Sequence, residues 1–298
     1  MTIAGTTTGT AAGISYLAVP PDPGDGVPAA GDGAASTGGP APIVVVWHAT
    51  RPAQTDRSIE TELPLAGLDA WRVYLPPPLA GGATRDALVA AEARCADDLL
   101  ANVVGPAVMD AAATLPRVLA ELRRQLPLDA AEPGSAARDA APLSATPLGD
   151  AAIRNPLGLV GSGLGATVAQ LVLAESDRPV YAAALVDPVV QLRAASSRSG
   201  CETACRWREA SRRVADRLDF LQRAGAILDR RPRPAVMVLS DASGDAGMRE
   251  PAERLWSLMS TYGGAPERTS LVTVPDVRHA PTVNAAVTDW FRRHLPSA

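Results

Sequence analysis

The sequence predicts an α/β fold, a mostly parallel sheet covered by helices on both faces. Three observations predict it. Seven short apolar or β-branched runs recur along the 298 residues, most of them continuous rather than alternating, as strands buried on both faces require. Segments of helical period lie between them, so strands and helices alternate. A hydrophobic fraction of 47% over this length is enough to bury roughly three quarters of the unfolded surface, which excludes a small disulfide-stapled scaffold.

Taken in order, the first strand is ISYLAV at 14–19, and residues 20–42 follow it. That stretch is so rich in Gly and Pro that it cannot bury enough side chain to offset ordering, and it reads as a mobile surface loop. Strands at 43–48 (IVVVWH) and 70–75 (AWRVYL) precede a long segment of helical period at 86–126. A second loop-like stretch, 129–152, leads to the strand LGLVG at 157–161 and a helix at 166–176. Strands at 181–187, 235–240 and 270–274 complete the sheet, with helical segments at 203–228, 249–262 and 283–294. Long loops add little closure entropy, so one domain spanning 1–298 is expected, with 188–233 a helical excursion over the strand ends.

Charge and cysteine usage narrow the function classes. Basic residues number 28 and acidic 32, a net charge of −4, and every basic residue is Arg, spread without a dense block, which argues against nucleic acid as a partner. No apolar run approaches the roughly 20 residues of a bilayer crossing, and the N-terminus lacks the basic start and apolar stretch of a secretory signal. A soluble cytoplasmic protein is expected, with no membrane partner. Cys95, Cys201 and Cys205 form neither an even disulfide framework nor a metal pattern, since a zinc site wants about four ligands, so no metal and no cofactor is expected. The aromatic content of 4% argues against a stacking site.

The most informative stretch is GLVGSGLGATVAQLVLA, residues 158–174, a buried strand running through a glycine-rich turn into a helix. Such a turn serves either as a nucleophile elbow, G-x-S-x-G, or as a pyrophosphate cradle, G-x-G-x-x-G/A. In an elbow the residues two before and two after the tip must be small, because strand and helix approach closely there. Gly161 and Gly165 meet that demand around Gly163; around Ser162 the flanks would be Val160 and Leu164, both bulky. Ser162 is one residue out of place and, by strand alternation, points to the opposite face from the tip. Glycine at the tip is conformationally comfortable, where other residues lose roughly 1 to 3 kcal/mol.

These residues resemble the α/β-hydrolase family, whose members often read GLVGHSLGG where this chain has GLVGSGLGA, and the likeness covers most of 43–298. Within the family the pattern resembles the small-ester, dienelactone-hydrolase-like branch. The resemblance puts Gly163 at the serine position. VPDVRHAPTVNAAVTDWFRRHL (274–295) is similar to the family's last strand, histidine loop and closing helix, which puts His279 at the general-base position. The acid would lie after the strand at 235–240, at Asp245, with Asp241 the alternative. VVVWHATRP is similar to the third strand and its oxyanion turn, so the backbone donors would be Leu164 with Ala49 or Thr50, and His48 would be structural. The implied protein is an impaired homologue of serine ester hydrolases, a pseudoenzyme that takes a small ester-like ligand.

Two other readings stay open. His279 with an aspartate could activate water directly, or Ser162 could act through a slipped turn. Alternatively, Gly161, Gly163 and Ala166 fit G-x-G-x-x-A, with Asp187 ending the next strand about 25 residues on, the pattern of a dinucleotide-binding module.

Overall fold

The computed structural model describes residues 5–22, 41–47, 63–76, 98, 100–128, 155–198, 207–244, 246–277 and 280–296. Eight strands form one sheet: β1 (Thr7–Ala11), β2 (Ile14–Val19), β3 (Ile43–Trp47), β4 (Trp71–Leu75), β5 (Leu157–Ser162), β6 (Ala182–Val186), β7 (Ala235–Asp241) and β8 (Thr269–Val274). Their order across the sheet is β1-β2-β4-β3-β5-β6-β7-β8. β2 runs antiparallel to β1 and β4, and every other pair is parallel. β3, β4, β6 and β7 are buried along their whole length, and β3 and β6 are accordingly continuous apolar runs, while β4 carries Arg72 and β7 ends in Ser240 and Asp241.

Among the described residues seven α-helices connect them: α1 (Gly105–Gln125), α2 (Leu164–Glu175), α3 (Leu192–Arg198), α4 (Glu209–Arg217), α5 (Ala224–Leu228), α6 (Ala246–Tyr262) and α7 (Ala280–His294). A π-helical turn, Leu100–Val104, runs into α1. One core layer joins Leu157, Leu159, Val236 and Val238 to α1, α2 and α6. The other joins Val44, Val160, Met237 and Leu239 to Val283, Val287, Trp290 and Phe291 of α7. Helices on both faces thus enclose the sheet, as the strand and helix alternation implies.

Three features depart from the sequence reading. β1 has no counterpart in it. The strand is TTGTA, largely exposed, and it joins β2 through Ala12 and Gly13, both at positive φ (50° and 79°), the geometry of a tight two-residue hairpin. The segment expected as one helix at 203–228 is divided, because residues 218–223 turn about Asp219, whose carboxylate accepts hydrogen bonds from Leu221 N, Gln222 N and Gln191 Nε2. Leu100–Gln125 does reach the length and apolar composition of a bilayer span, with mean hydropathy 1.3, contrary to the sequence reading. Its Val108, Leu115, Val118, Leu119 and Leu122 are buried in the core. Most of 20–42, all of 129–152, residues 86–97 and the three cysteines lie outside the described residues.

One polar hub ties the chain after β2 to the turn before β4. Arg72, 2% exposed on β4, donates to both carboxylate oxygens of Asp22 (2.8 and 2.9 Å) and to Leu65 O, while Gly67 N also donates to Asp22. Burial disfavours the Asp22 carboxylate, but the Arg72 and Gly67 hydrogen bonds and the Arg72 charge together hold its pKa below the ordinary value.

Candidate functional site

Strand order reverses at β3, which has β4 on one side and β5 on the other. In an open α/β sheet the crevice beyond the carboxyl ends of the strands at such a point is where ligands bind. The β5–α2 turn stands there. Ser162 is the last residue of β5, Leu164 the first of α2, and Gly163 lies between them at φ 54°, ψ −117°. That pair mirrors the first central residue of a type II turn, a conformation natural to glycine and strained for any residue with a Cβ.

The flanking glycines are required by contact. A Cβ on Gly161 would lie 2.3 Å from Gly165 O and 2.5 Å from Ala166 Cα, so β5 and α2 close on each other across the turn. A Cβ on Gly165 would lie 2.5 Å from Trp47 O, so α2 also abuts the end of β3. Gly163 N donates to Val186 O (3.0 Å), and Gly163 O accepts from Ala166 N (3.1 Å) and Thr167 N (3.3 Å). Leu164 and Gly165 supply the first N–H groups of α2, which by position have no acceptor within the helix. Alternation along β5 groups Leu157 and Leu159 with the α1–α2 layer and Val160 with the α7 layer. By the same alternation Ser162 is directed to the α7 side.

Asp241 closes β7 at the same edge, two strands from β5. It is buried, and its Oδ1 accepts from Ser243 N (2.9 Å) and Ser243 Oγ (2.7 Å), a local turn that shapes the start of the following loop. Asp245, His279, His48, Ala49 and Thr50 lie outside the described residues. In the sequence, His279 immediately precedes α7, five residues beyond the end of β8, and Ala49 follows β3 by two.

Two buried polar residues behind the turn carry no motif in the sequence. Thr167 and Gln170 of α2 are both fully buried, and Gln170 Nε2 donates to Val189 O (3.3 Å) and Ala166 O (3.1 Å). They fasten the segment after β6 to the helix that follows the turn. The one signal for them is a threonine and a glutamine one helical turn apart in an otherwise apolar helix. Asp187, which follows β6, sits at φ 46° with its N–H donating to Leu239 O (2.8 Å). Gly161, Gly163, Ala166 and Asp187 therefore belong to one β5–α2–β6 unit. Among the described residues no cluster of His, Cys, Asp and Glu could hold a metal ion.

No family model matches the sequence, and no curated protein matches it. Solved structures do. An uncomplexed acylaminoacyl peptidase of Pyrococcus horikoshii superposes with a TM-score of 0.60 at 11% identity, over 98% of this chain and 41% of the peptidase. Est1E from Butyrivibrio proteoclasticus gives 0.53 at 12% identity, over 97% of this chain and 98% of Est1E. The chain has the α/β-hydrolase fold. Another protein similar to this α/β-hydrolase-fold chain is a Mycobacterium tuberculosis puromycin-hydrolyzing peptidase, with a TM-score of 0.54 at 14% identity over 95% of this chain and 38% of the peptidase. The chain spans about two fifths of the length of the two peptidases and nearly the whole length of Est1E.

Proposed function

We propose that this α/β-hydrolase-fold chain is related to serine ester hydrolases of the small-ester, dienelactone-hydrolase-like branch, and that Gly163 stands where the nucleophilic serine would be. The single observation that carries the reading is the backbone of Gly163, at φ 54° and ψ −117° on the crest of the β5–α2 turn, between two glycines that cannot bear a Cβ. A nucleophile elbow needs that geometry, and here its crest has no side chain.

Without a hydroxyl or thiol at the crest, no acyl-enzyme can form, so the two-step route of a Ser-His-Asp enzyme is closed. His279 and an aspartate then have nothing to activate at the turn. Asp245 is the favoured acid and Asp241 the alternative; Asp241 is two strands from β5, roughly 10 Å at ordinary strand spacing, a gap an imidazole can bridge. The N–H of Leu164, with Ala49 or Thr50, remains as a backbone cradle for an ester or carboxylate oxygen. The protein binds a small acyl compound and turns it over weakly or not at all.

A fluorophosphonate probe tests the reading. It reacts with an activated serine, so the wild-type protein stays unlabelled at concentrations that label an active serine esterase completely. Labelling mapped to Ser162 would overturn the assignment in favour of a slipped turn, and tight binding of NAD in place of acyl compounds would favour the dinucleotide reading.

A further inference from the structure

The two edges of the sheet are unlike. β1, at one edge, is TTGTA, a polar strand largely exposed on its faces. β8, at the other, is TSLVTV, and among the described residues it pairs with β7 alone. Native edges are blunted by charges, prolines or bulges, because a free row of N–H and C=O groups invites another strand. β8 has none of these along its length: its register with β7 runs without offset from Val236↔Thr269 to Asp241↔Val274, and its residues are uncharged and rich in β-branched side chains. Leu271 and Val272 remain only partly buried, whereas β7 beside them is wholly buried.

The surroundings of β8 match a contact surface. Val274 O accepts from Ala242 N (2.8 Å), so residues 270, 272 and 274 turn their backbone groups to β7, and Leu271 and Thr273 turn theirs to the open side. Tyr262, at the end of α6, is 71% exposed, the one large hydrophobic side chain left exposed among the described residues. Ser260 Oγ lies 3.0 Å from Thr269 Oγ1, which sets the end of α6 beside the start of β8. Aromatic side chains are enriched at protein contact surfaces. Arg268 stands four residues before Val272 and Asp276 four residues after it. Among the described residues Arg268 forms no ion pair, its Nη2 donating to Arg233 O (2.7 Å).

We propose that β8 is the contact surface for a second copy of this chain, the two strands pairing antiparallel about a two-fold axis through Val272. In that register Leu271 and Thr273 of the partner subunit exchange N–H···O bonds in both directions, and the axis repeats the exchange. Val272 meets its own copy, and Arg268 comes opposite Asp276 of the partner subunit. The edge is thus complementary to itself when reversed, in charge as well as in hydrogen bonding, which is what selects a second copy as the occupant. Centring the axis on Leu271 would instead set Arg268 against Val274. β8 is three strands from β5, so the pairing is independent of what Gly163 does.

Sedimentation velocity of the full chain tests the pairing. The wild type is expected to have twice the mass of one chain at micromolar concentration, and a monomer throughout that range overturns the proposal. Thr273→Pro removes an outward N–H and no bond to β7, and it raises the dissociation constant at least about tenfold. Tyr262→Glu, at an exposed side chain that the fold does not need, weakens the dimer in the same direction. A dimer indifferent to both substitutions lies on another surface and also overturns the proposal. Cross-linking tests the register, in a chain with Cys95, Cys201 and Cys205 changed to Ser and with oxidised glutathione as the oxidant. Val272→Cys faces its own copy at roughly 4.5 Å between Cα atoms and forms a disulfide-linked dimer. Ser270→Cys, roughly 13 Å along the strand from its copy, does not. Equal cross-linking of the two, or a preference for position 270, refutes the axis through Val272.

Discussion

Adding one methyl group at Gly161 is a demanding test of the β5–α2 turn. In Gly161→Ala the new Cβ would sit 2.3 Å from Gly165 O, 2.4 Å from Gly165 C and 2.5 Å from Ala166 Cα, about an ångström inside ordinary contact with three backbone atoms. No flexible side chain can swing aside, so the helix must move off the strand. That movement is itself opposed, because Gly165 is packed against Trp47 O on β3. Overpacking of this kind costs about 3 kcal/mol, the upper end of the usual range. Gly225 in α5 is the matched control, since a Cβ there meets nothing within 4 Å, and Gly225→Ala is expected to stabilise by about 0.4 to 1 kcal/mol. Urea unfolding of the two variants and the wild type measures both values. Equal stability of Gly161→Ala and Gly225→Ala would refute the close approach on which the turn's geometry rests.

Other outcomes follow from the same contacts. Gly163→Ala is expected to fold and to lose about 1 to 3 kcal/mol in urea unfolding, since φ 54° with ψ −117° strains any Cβ-bearing residue; no loss would show that the turn relaxes. Asp22 has a lowered pKa, so its contribution to stability is complete above the carboxylate's unfolded pKa and disappears as pH falls through the folded one. Asp22→Asn therefore lowers the urea midpoint at pH 7 and removes part of the acid dependence below pH about 4. The His294 pKa is lowered by burial and by the charges of Arg293 and Arg268, against a smaller opposing effect of Glu267. Its neutral ring, 4.0 Å from the Trp290 ring centroid, thus stabilises the fold above pH about 6.5 and that stability falls as pH drops below it. His294→Gln should flatten the unfolding profile in that window.

How far the sequence discloses this protein depends on where each residue's constraint comes from. β3, β6 and most of β7 are legible because a strand covered on both faces favours a continuous apolar run, and Val44 to Trp47 or Ala182 to Val186 satisfy that without reference to anything distant. The turn at 161–165 is legible for a similar reason: a backbone that cannot bear a Cβ writes itself as glycine. β1 is not, because an exposed edge strand needs no apolar pattern, and its anchors are remote, Ala12 N donating to Glu121 Oε2 at 2.6 Å and Gln125 Nε2 to Thr10 O at 3.0 Å. The division of 203–228 is hidden in the carboxylate of Asp219, a single side chain that collects donors from its own turn and from Gln191. The buried Thr167 and Gln170 leave no local trace because their acceptor, Val189 O, lies 19 to 22 residues away. The resemblance at 274–295 locates α7 well, and the helix begins three residues before the helical period does. The bilayer-length apolarity of Leu100–Gln125 is inconspicuous because its alanines raise the mean hydropathy without forming a continuous run.

The most direct measurement concerns the missing hydroxyl. Gly163→Ser, assayed with short-chain p-nitrophenyl esters beside the wild type and a Gly163→Ser, His279→Ala double variant, should show hydrolysis that the wild type lacks. A fluorophosphonate should label the serine introduced at position 163, and activity should fall by at least about 10³-fold when His279 is also removed. A folded Gly163→Ser protein that stays unlabelled and no more active than the wild type would contradict the assignment of Gly163.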